Sequence, residues 1–161
     1  MLKINYIFNL YQNTIFLANT DFKYQELAVI TASNPDGVTR TRRFNHWLDC
    51  HFISFLQRHQ FRHFWVFAGS RDLNHYEYSA IVDCSLIDAQ HIAKAFRQKA
   101  FYWLDNECYL YDTKGLASAH SSLGEISPRW FNNPWAYNKM IEDYHYARST
   151  TGTVRPISNS S

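Results

Sequence analysis

Glycine and proline are scarce, with five and four in 161 residues. Loops that cradle phosphates through glycine backbone need several glycines at fixed spacing, and neither a Walker loop nor a Gly-x-Gly-x-x-Gly run is present. Cysteine is rare as well. Cys50, Cys84 and Cys108 cannot all pair with one another, and their spacing matches no metal motif. They read as reduced thiols, packed as small apolar groups in a cytosolic protein. Charge is sparse: 19% of residues are charged and the net charge is +2, too small to call by itself for a nucleic-acid or membrane partner. Long apolar runs are missing too. The N-terminal stretch is apolar but broken by Asn5, Asn9, Gln12 and Asn13, so it lacks the core of a transmembrane helix, and it carries no convincing signal-peptide cleavage pattern. The expected location is the cytoplasm.

What is present is a globular composition, 46% hydrophobic and 17% aromatic. A chain of this length makes one domain with a sizeable core. The apolar spacing of Ile4, Ile7, Phe8, Tyr11 and Ile15 predicts a short helix over residues 4–16. Leu27 to Ala32 reads as a buried strand, stopped by Asn34-Pro35-Asp36-Gly37. Thr39 or Thr41 caps a helix whose stripe is Phe44, Trp47, Leu48, Phe52, Phe55 and Leu56. Arg62 to Ala68 and Tyr76 to Val82 read as strands. Ser85 with Asp88 three residues on resembles a capping box, opening a second helix over Leu86, Ala89, Ile92, Ala93 and Phe96. Phe101 to Leu104 and Tyr109 to Tyr111 form a hairpin around Asp105-Asn106-Glu107. Residues 1–114 are therefore expected to form one α+β domain. Residues 115–148 form an aromatic-rich extension, with one helix over 135–148, and residues 149–161 a disordered tail.

Strand-helix-strand-strand-helix-strand is the order of a ferredoxin-like fold, an antiparallel sheet with two helices on one face. That topology brings residues distant in the chain to one end of the sheet. Thr31 and Asn34 leave the first strand there, Arg42, Arg43 and Asn45 open the first helix, His75, Glu77 and Ser79 enter the third strand, and Gln98 ends the second helix. Amide, carboxylate, hydroxyl and guanidinium groups beside a helix N-terminus make a candidate polar pocket. Ordinary turn and cap residues on a wet rim are the alternative.

The chain also resembles a bacterial protein family. The residues that carry the likeness are Tyr11 and Thr14, Ile30-Thr31-Ala32-x-Asn34-Pro35, Asn45, Glu77-x-Ser79 and Ala95-Phe96-x-Gln98-x-Ala100-x-x-Trp103. It is similar to the family designated domain of unknown function 3293, over roughly residues 8 to 112. The resemblance implies positions and no activity, because that family has no assigned reaction.

Glu77 is the central acid. Placed near Arg42 or Arg43, it is either a general base or ligand acceptor, or one half of a salt bridge that holds a loop. His75 and Glu77 lie two apart and share a strand face, but no third metal ligand accompanies them, and the pairs His46/Cys50 and His59/His63 join no zinc pattern. No metal or cofactor is expected. RNA-recognition modules share the segment order, but the Lys/Arg-Gly-aromatic pattern is missing, and the arginines between Arg40 and Arg62 fit a solvated helix face as well as a phosphate contact. Nucleic acid is not the favoured partner. The leading expectation is a small cytoplasmic binding module for a small polar ligand or a peptide. Two alternatives stand beside it: an enzyme with Glu77 as base, and an interaction or inhibitor protein working through an aromatic and basic surface that includes Trp130, Phe131, Trp135, Tyr137, Tyr144 and Tyr146.

Overall fold

The computed structural model describes residues 11–22, 25–114 and 120–152, with side chains to residue 145. Eight strands form one sheet: β1 (Ile15–Ala18), β2 (Leu27–Thr31), β3 (His63–Gly69), β4 (Tyr76–Val82), β5 (Ala100–Asp105), β6 (Glu107–Asp112), β7 (His120–Glu125) and β8 (Trp130–Asn132). Among the described residues the helices that accompany them are α1 (Arg42–Arg58), α2 (Leu86–Ala95) and α3 (Pro134–Gly152). The architecture is mixed α+β, with a sheet larger than sequence patterning predicts. Its order is β7-β6-β5-β2-β4-β3-β1-β8. Neighbours are antiparallel, except for the parallel pair β1 and β8.

The two edge strands, β7 and β8, are consecutive in the chain and separated only by residues 126–129. In a flat sheet they would lie about 34 Å apart at about 4.8 Å per strand. The connecting residues reach about 17 Å at most. The sheet therefore curls until its edges approach each other. Arg129 secures the seam: its Nη1 donates to the Thr14 carbonyl at 2.9 Å and its Nη2 to the Leu123 carbonyl at 2.7 Å. Ile126 plugs the inside of the curl together with Phe16, Leu27, Val66, Ile81 and Leu104, all buried.

Alternation sends the other residues of each strand to the convex face. Ala28 and Ile30 of β2, Ala80 and Val82 of β4 and Phe101 and Trp103 of β5 pack there against Phe52 and Leu56 of α1 and Ile92 of α2. With both faces covered, β2 is apolar along its first four residues rather than alternating. Thr41 caps α1 by accepting from the Phe44 amide, and Ser85 caps α2 by accepting from the Asp88 amide.

Several expectations need correction. Residues 15–18 are strand, not the end of a helix; Tyr11 and Gln12 are helical, and residues 1–10 lie outside the described residues. On α1 the buried residues are Asp49, Phe52 and Leu56, while Phe44 and Trp47 are exposed at 39% and 54%. The helix is turned so that its sheet-facing stripe starts from Asn45 and Asp49, a stripe that polar residues hide from a hydrophobic pattern. The expected extension contains two strands, His120–Glu125 and Trp130–Asn132, because pairing with β6 and β1 overrides weak local patterning. Helix α3 continues through the start of the expected tail to Gly152. It packs Tyr137, Met140, Ile141 and Tyr144 against Leu17 and Phe67. Among the described residues no helix is long and apolar enough to cross a membrane.

Candidate functional site

One end of the curled sheet opens into a cleft of about 1470 Å³. It runs from the concave mouth, walled by Tyr11, Thr14, Tyr102 and Leu110, across the sheet end to α1 and α3. Its centre is a set of oriented amides. The β2–α1 loop places Asn34 in the left-handed region at φ 51°, a conformation asparagine tolerates, and Pro35 follows it. Asn45 Oδ1 accepts from the Asn34 backbone amide at 2.9 Å, and Asn45 Nδ2 donates back to Asn34 Oδ1 at 2.9 Å. The Arg40 backbone amide donates to the same Oδ1 at 2.9 Å. Backbone donors cannot be reversed, so both side-chain amides have a single self-consistent orientation. That leaves Asn34 Nδ2 pointing at Glu77, and it donates to Oε1 at 3.0 Å.

Glu77 points into the concave side from the start of β4. It keeps partial access to the cleft while protein surrounds it, and burial raises its pKa above the ordinary carboxylate value, opposed by the Asn34 hydrogen bond. Of the two readings left open for this acid, the salt bridge is not formed: among the described residues Glu77 makes no ion pair with an arginine or lysine. Arg42 lines the cleft at its exposed rim, and Arg43 lies outside the cleft lining.

The remaining predicted residues divide by use. Thr31, Ser79 and Gln98 line the cleft but direct their side-chain donors to backbone carbonyls. Thr31 Oγ1 donates to the Tyr78 carbonyl at 3.2 Å, Ser79 Oγ to the Glu77 carbonyl at 3.2 Å, and Gln98 Nε2 to the Ser33 carbonyl at 3.0 Å. They fix the walls. His75 sits exposed on the β3–β4 loop, and its carbonyl accepts from the Ser70 amide at 2.8 Å. This loop turns where Gly69 meets the backbone of the returning strand: a Cβ on Gly69 would stand 2.1 Å from the His75 carbonyl oxygen. Among the described residues no group of His, Cys, Asp or Glu is arranged to hold a metal.

Sequence reasoning missed several residues. Tyr102 donates to Thr14 Oγ1 at 2.9 Å and meets Tyr11 edge-on at 5.8 Å, closing the concave side around Glu77. Asp49 lies one turn beyond Asn45 on α1, 1% exposed. Tyr144 of α3 donates to Asp49 Oδ2 at 2.5 Å, and Asp49 Oδ1 has no hydrogen-bond partner. Burial raises the Asp49 pKa to about 7, with the Tyr144 hydrogen bond lowering it and the negative charge of Glu77 adding to the rise. His46 Nδ1 is 2.8 Å from the Tyr144 hydroxyl, and its Nε2 is 3.6 Å from the Cys50 thiol. The readable signal for Asp49 was an acid in register with Phe52 and Leu56, three and seven positions on, along one helix face.

Residues 30–101 match the family described as protein of unknown function (DUF3293). The match is narrower than the likeness read from the sequence, and Tyr11, Thr14 and Trp103 fall outside it. The segment resembling DUF3293 starts in β2 and ends in β5. It contains Asn34, Asn45, Asp49, Glu77 and Gln98, whereas Tyr11, Tyr102 and Tyr144 come from flanking chain. No curated protein and no solved structure matches the chain.

Proposed function

We propose that the protein is a small binding module that holds a polar ligand in this cleft, with Glu77 accepting a donor group of the ligand. One observation carries the reading: a recessed carboxylate, aimed by Asn34, lining a cleft and lacking a cation partner within the described chain. A carboxylate kept only to brace a loop would ordinarily be neutralised by an arginine or lysine, since leaving it half-buried and unpaired costs stability. The mouth of a curled sheet is also a common place for a ligand. The fold supports the same reading at a finer level. The central order β5-β2-β4-β3, antiparallel throughout, with α1 and α2 in the crossovers, fits a ferredoxin-like core to which β1, β6, β7 and β8 are added. In that topology the chain ends that meet at the cleft are brought there by the core itself.

The test is a thermal-shift screen of metabolites and nucleotides, followed by calorimetry, on the wild type and Glu77→Gln. The substituted side chain keeps an oxygen for the Asn34 donor, so the loop is retained. A ligand that stabilises the wild type and not the variant supports the proposal. A ligand that stabilises both equally, or a screen without Glu77-dependent hits, counts against it.

A second reading follows from the same carboxylate. Its raised pKa and its freedom from an arginine suit a general base that removes a proton from a bound substrate. Turnover of a cleft ligand by the wild type, lost in Glu77→Gln with binding retained, would establish it. Binding without turnover returns the assignment to a pure binding module.

A further inference from the structure

Charge in the cleft is sorted by depth. The floor holds Glu77, and behind it the buried Asp49 with its unpartnered Oδ1. The rim holds Arg42, Arg71 and Lys99, all exposed. Asp143 adds an acid to the rim on the α3 side. Among the described residues, none of the floor acids or rim cations is in an ion pair; Arg97 and Asp36, off the cleft floor, form the one that is present. Opposite charges lining one cleft pair directly when their side chains can meet within about 4 Å. Here they do not meet. Glu77 is tied to Asn34, Arg42 stands at the first position of α1, Arg71 on the β3–β4 loop and Lys99 just before β5. Tyr11 and Tyr102 wall the floor with aromatic rings, which favour a cation next to them.

An acidic floor and a basic rim that are not paired with each other complement a ligand with its own separated charges. Resting on the reading of the cleft as a ligand site, the geometry points to a small zwitterion: an ammonium or guanidinium group directed inward onto Glu77, and a carboxylate or phosphate directed outward to Arg42, Arg71 and Lys99. Glu77 supplies the contact to the cation, and Asp49, where it is ionised, adds negative potential from behind the wall. The same arrangement disfavours a purely anionic ligand, which would set its charge against Glu77, and a purely cationic one, which would leave the rim unmatched.

Calorimetry on the full chain decides it. The probes are ω-guanidino- and ω-aminocarboxylates of graded chain length, the corresponding alkylguanidines and alkylamines, the corresponding alkylcarboxylates, and adenosine monophosphate. The best zwitterion is expected to bind at least about ten-fold more tightly than either half alone. In Glu77→Gln it should fall to the affinity of the carboxylate, and in the triple variant Arg42→Gln, Arg71→Gln, Lys99→Gln to that of the alkylguanidine or alkylamine. An alkylguanidine, alkylamine or alkylcarboxylate binding as tightly as the zwitterion overturns the inference. So does Glu77-dependent binding of adenosine monophosphate or of a neutral metabolite when the zwitterion series does not bind; the cleft then remains a ligand site of another specificity. Absence of Glu77-dependent binding by every compound overturns the zwitterion and the ligand site together.

Discussion

Substituting Asp49 by asparagine gives the sharpest test of the electrostatics behind the cleft. Asp49 is 1% exposed, one of its oxygens has no partner, and its pKa rises from 3.8 to about 7. A carboxyl displaced that far stores about 4 kcal/mol between its two protonation states, at about 1.4 kcal/mol per pH unit. The sign follows from which state binds the proton more tightly. The folded protein holds it more tightly than the unfolded chain, so the contribution is fully present below about pH 4 and is lost as pH rises through about 7. Against a total stability of about 5–15 kcal/mol for a domain, that is a large fraction. Asparagine does not titrate. Urea unfolding of the wild type and Asp49→Asn, followed by tryptophan fluorescence at constant ionic strength, gives a stability difference at each pH. The wild type should lose about 4 kcal/mol relative to the variant between pH 4 and pH 8. Glu77 has a pKa shifted in the same direction but is present in both proteins, so its own titration enters the difference only through its smaller coupling to Asp49. Tyr144→Phe offers an internal check. It removes the hydrogen bond that lowers the Asp49 pKa, so its window of lost stability should move to higher pH. A difference curve that stays flat between pH 4 and pH 8 would refute the buried, uncompensated carboxylate.

Three further outcomes follow from particular contacts. Arg129→Ala removes two charged hydrogen bonds across the seam of the sheet, and should cost about 2–3 kcal/mol by chemical denaturation, with Arg129→Lys recovering part of it. Gly69→Ala sets a methyl group 2.1 Å from the His75 carbonyl oxygen, so it should destabilise by about 2 kcal/mol or more and displace the β3–β4 loop that carries Arg71, which hydrogen exchange of residues 70–75 would register. Iodoacetamide at pH 8 should attach to Cys50 well before the other thiols, because Cys50 is exposed and burial pushes Cys84 and Cys108 up to about 12; peptide mass spectrometry showing equal labelling of all three would contradict that placement.

The elements that could be read from the sequence were those specified by neighbouring residues. Thr41 and Ser85 cap the two central helices because their hydroxyls satisfy amides three positions on, a local event visible as spacing. Asn106 turns the β5–β6 hairpin at φ 57°, as an asparagine between two aromatic runs announces. Long-range partners decided the rest. Ser121 and Ser122 have weak strand preference, yet they lie opposite Leu110 and Tyr109 because the edge of β6 offers unpaired backbone. Trp47, apolar and in helical register, faces solvent because Asp49 and Asn45 occupy the side toward the sheet.

The same division runs through the site. Segment order brought Asn34, Asn45 and Glu77 together, because strand connections fix which loop ends share an edge, and these three are joined by hydrogen bonds in the folded chain. Segment order said nothing about side-chain pairing, so it left open whether Glu77 is a base or ligand acceptor or one half of a salt bridge with Arg42 or Arg43. The cleft pairs it differently. Asn34 spends both acceptor sites of its Oδ1 on Arg40 and Asn45, which obliges its amide nitrogen to face Glu77 and gives the carboxylate one neutral donor in place of a cation. A neutral donor orients the acid without cancelling its charge. Tyr144 treats Asp49 in the same way from α3, donating to one oxygen and leaving the other bare. Two acids line one cleft, each aimed by a neutral hydrogen bond and neither paired with a cation among the described residues; burial raises the pKa of Asp49, Tyr11 and Tyr102, and the negative potential of Glu77 adds a smaller push to each. A fold selected for stability alone would remove that potential with a single arginine, and Arg42 stands on the rim without reaching either acid.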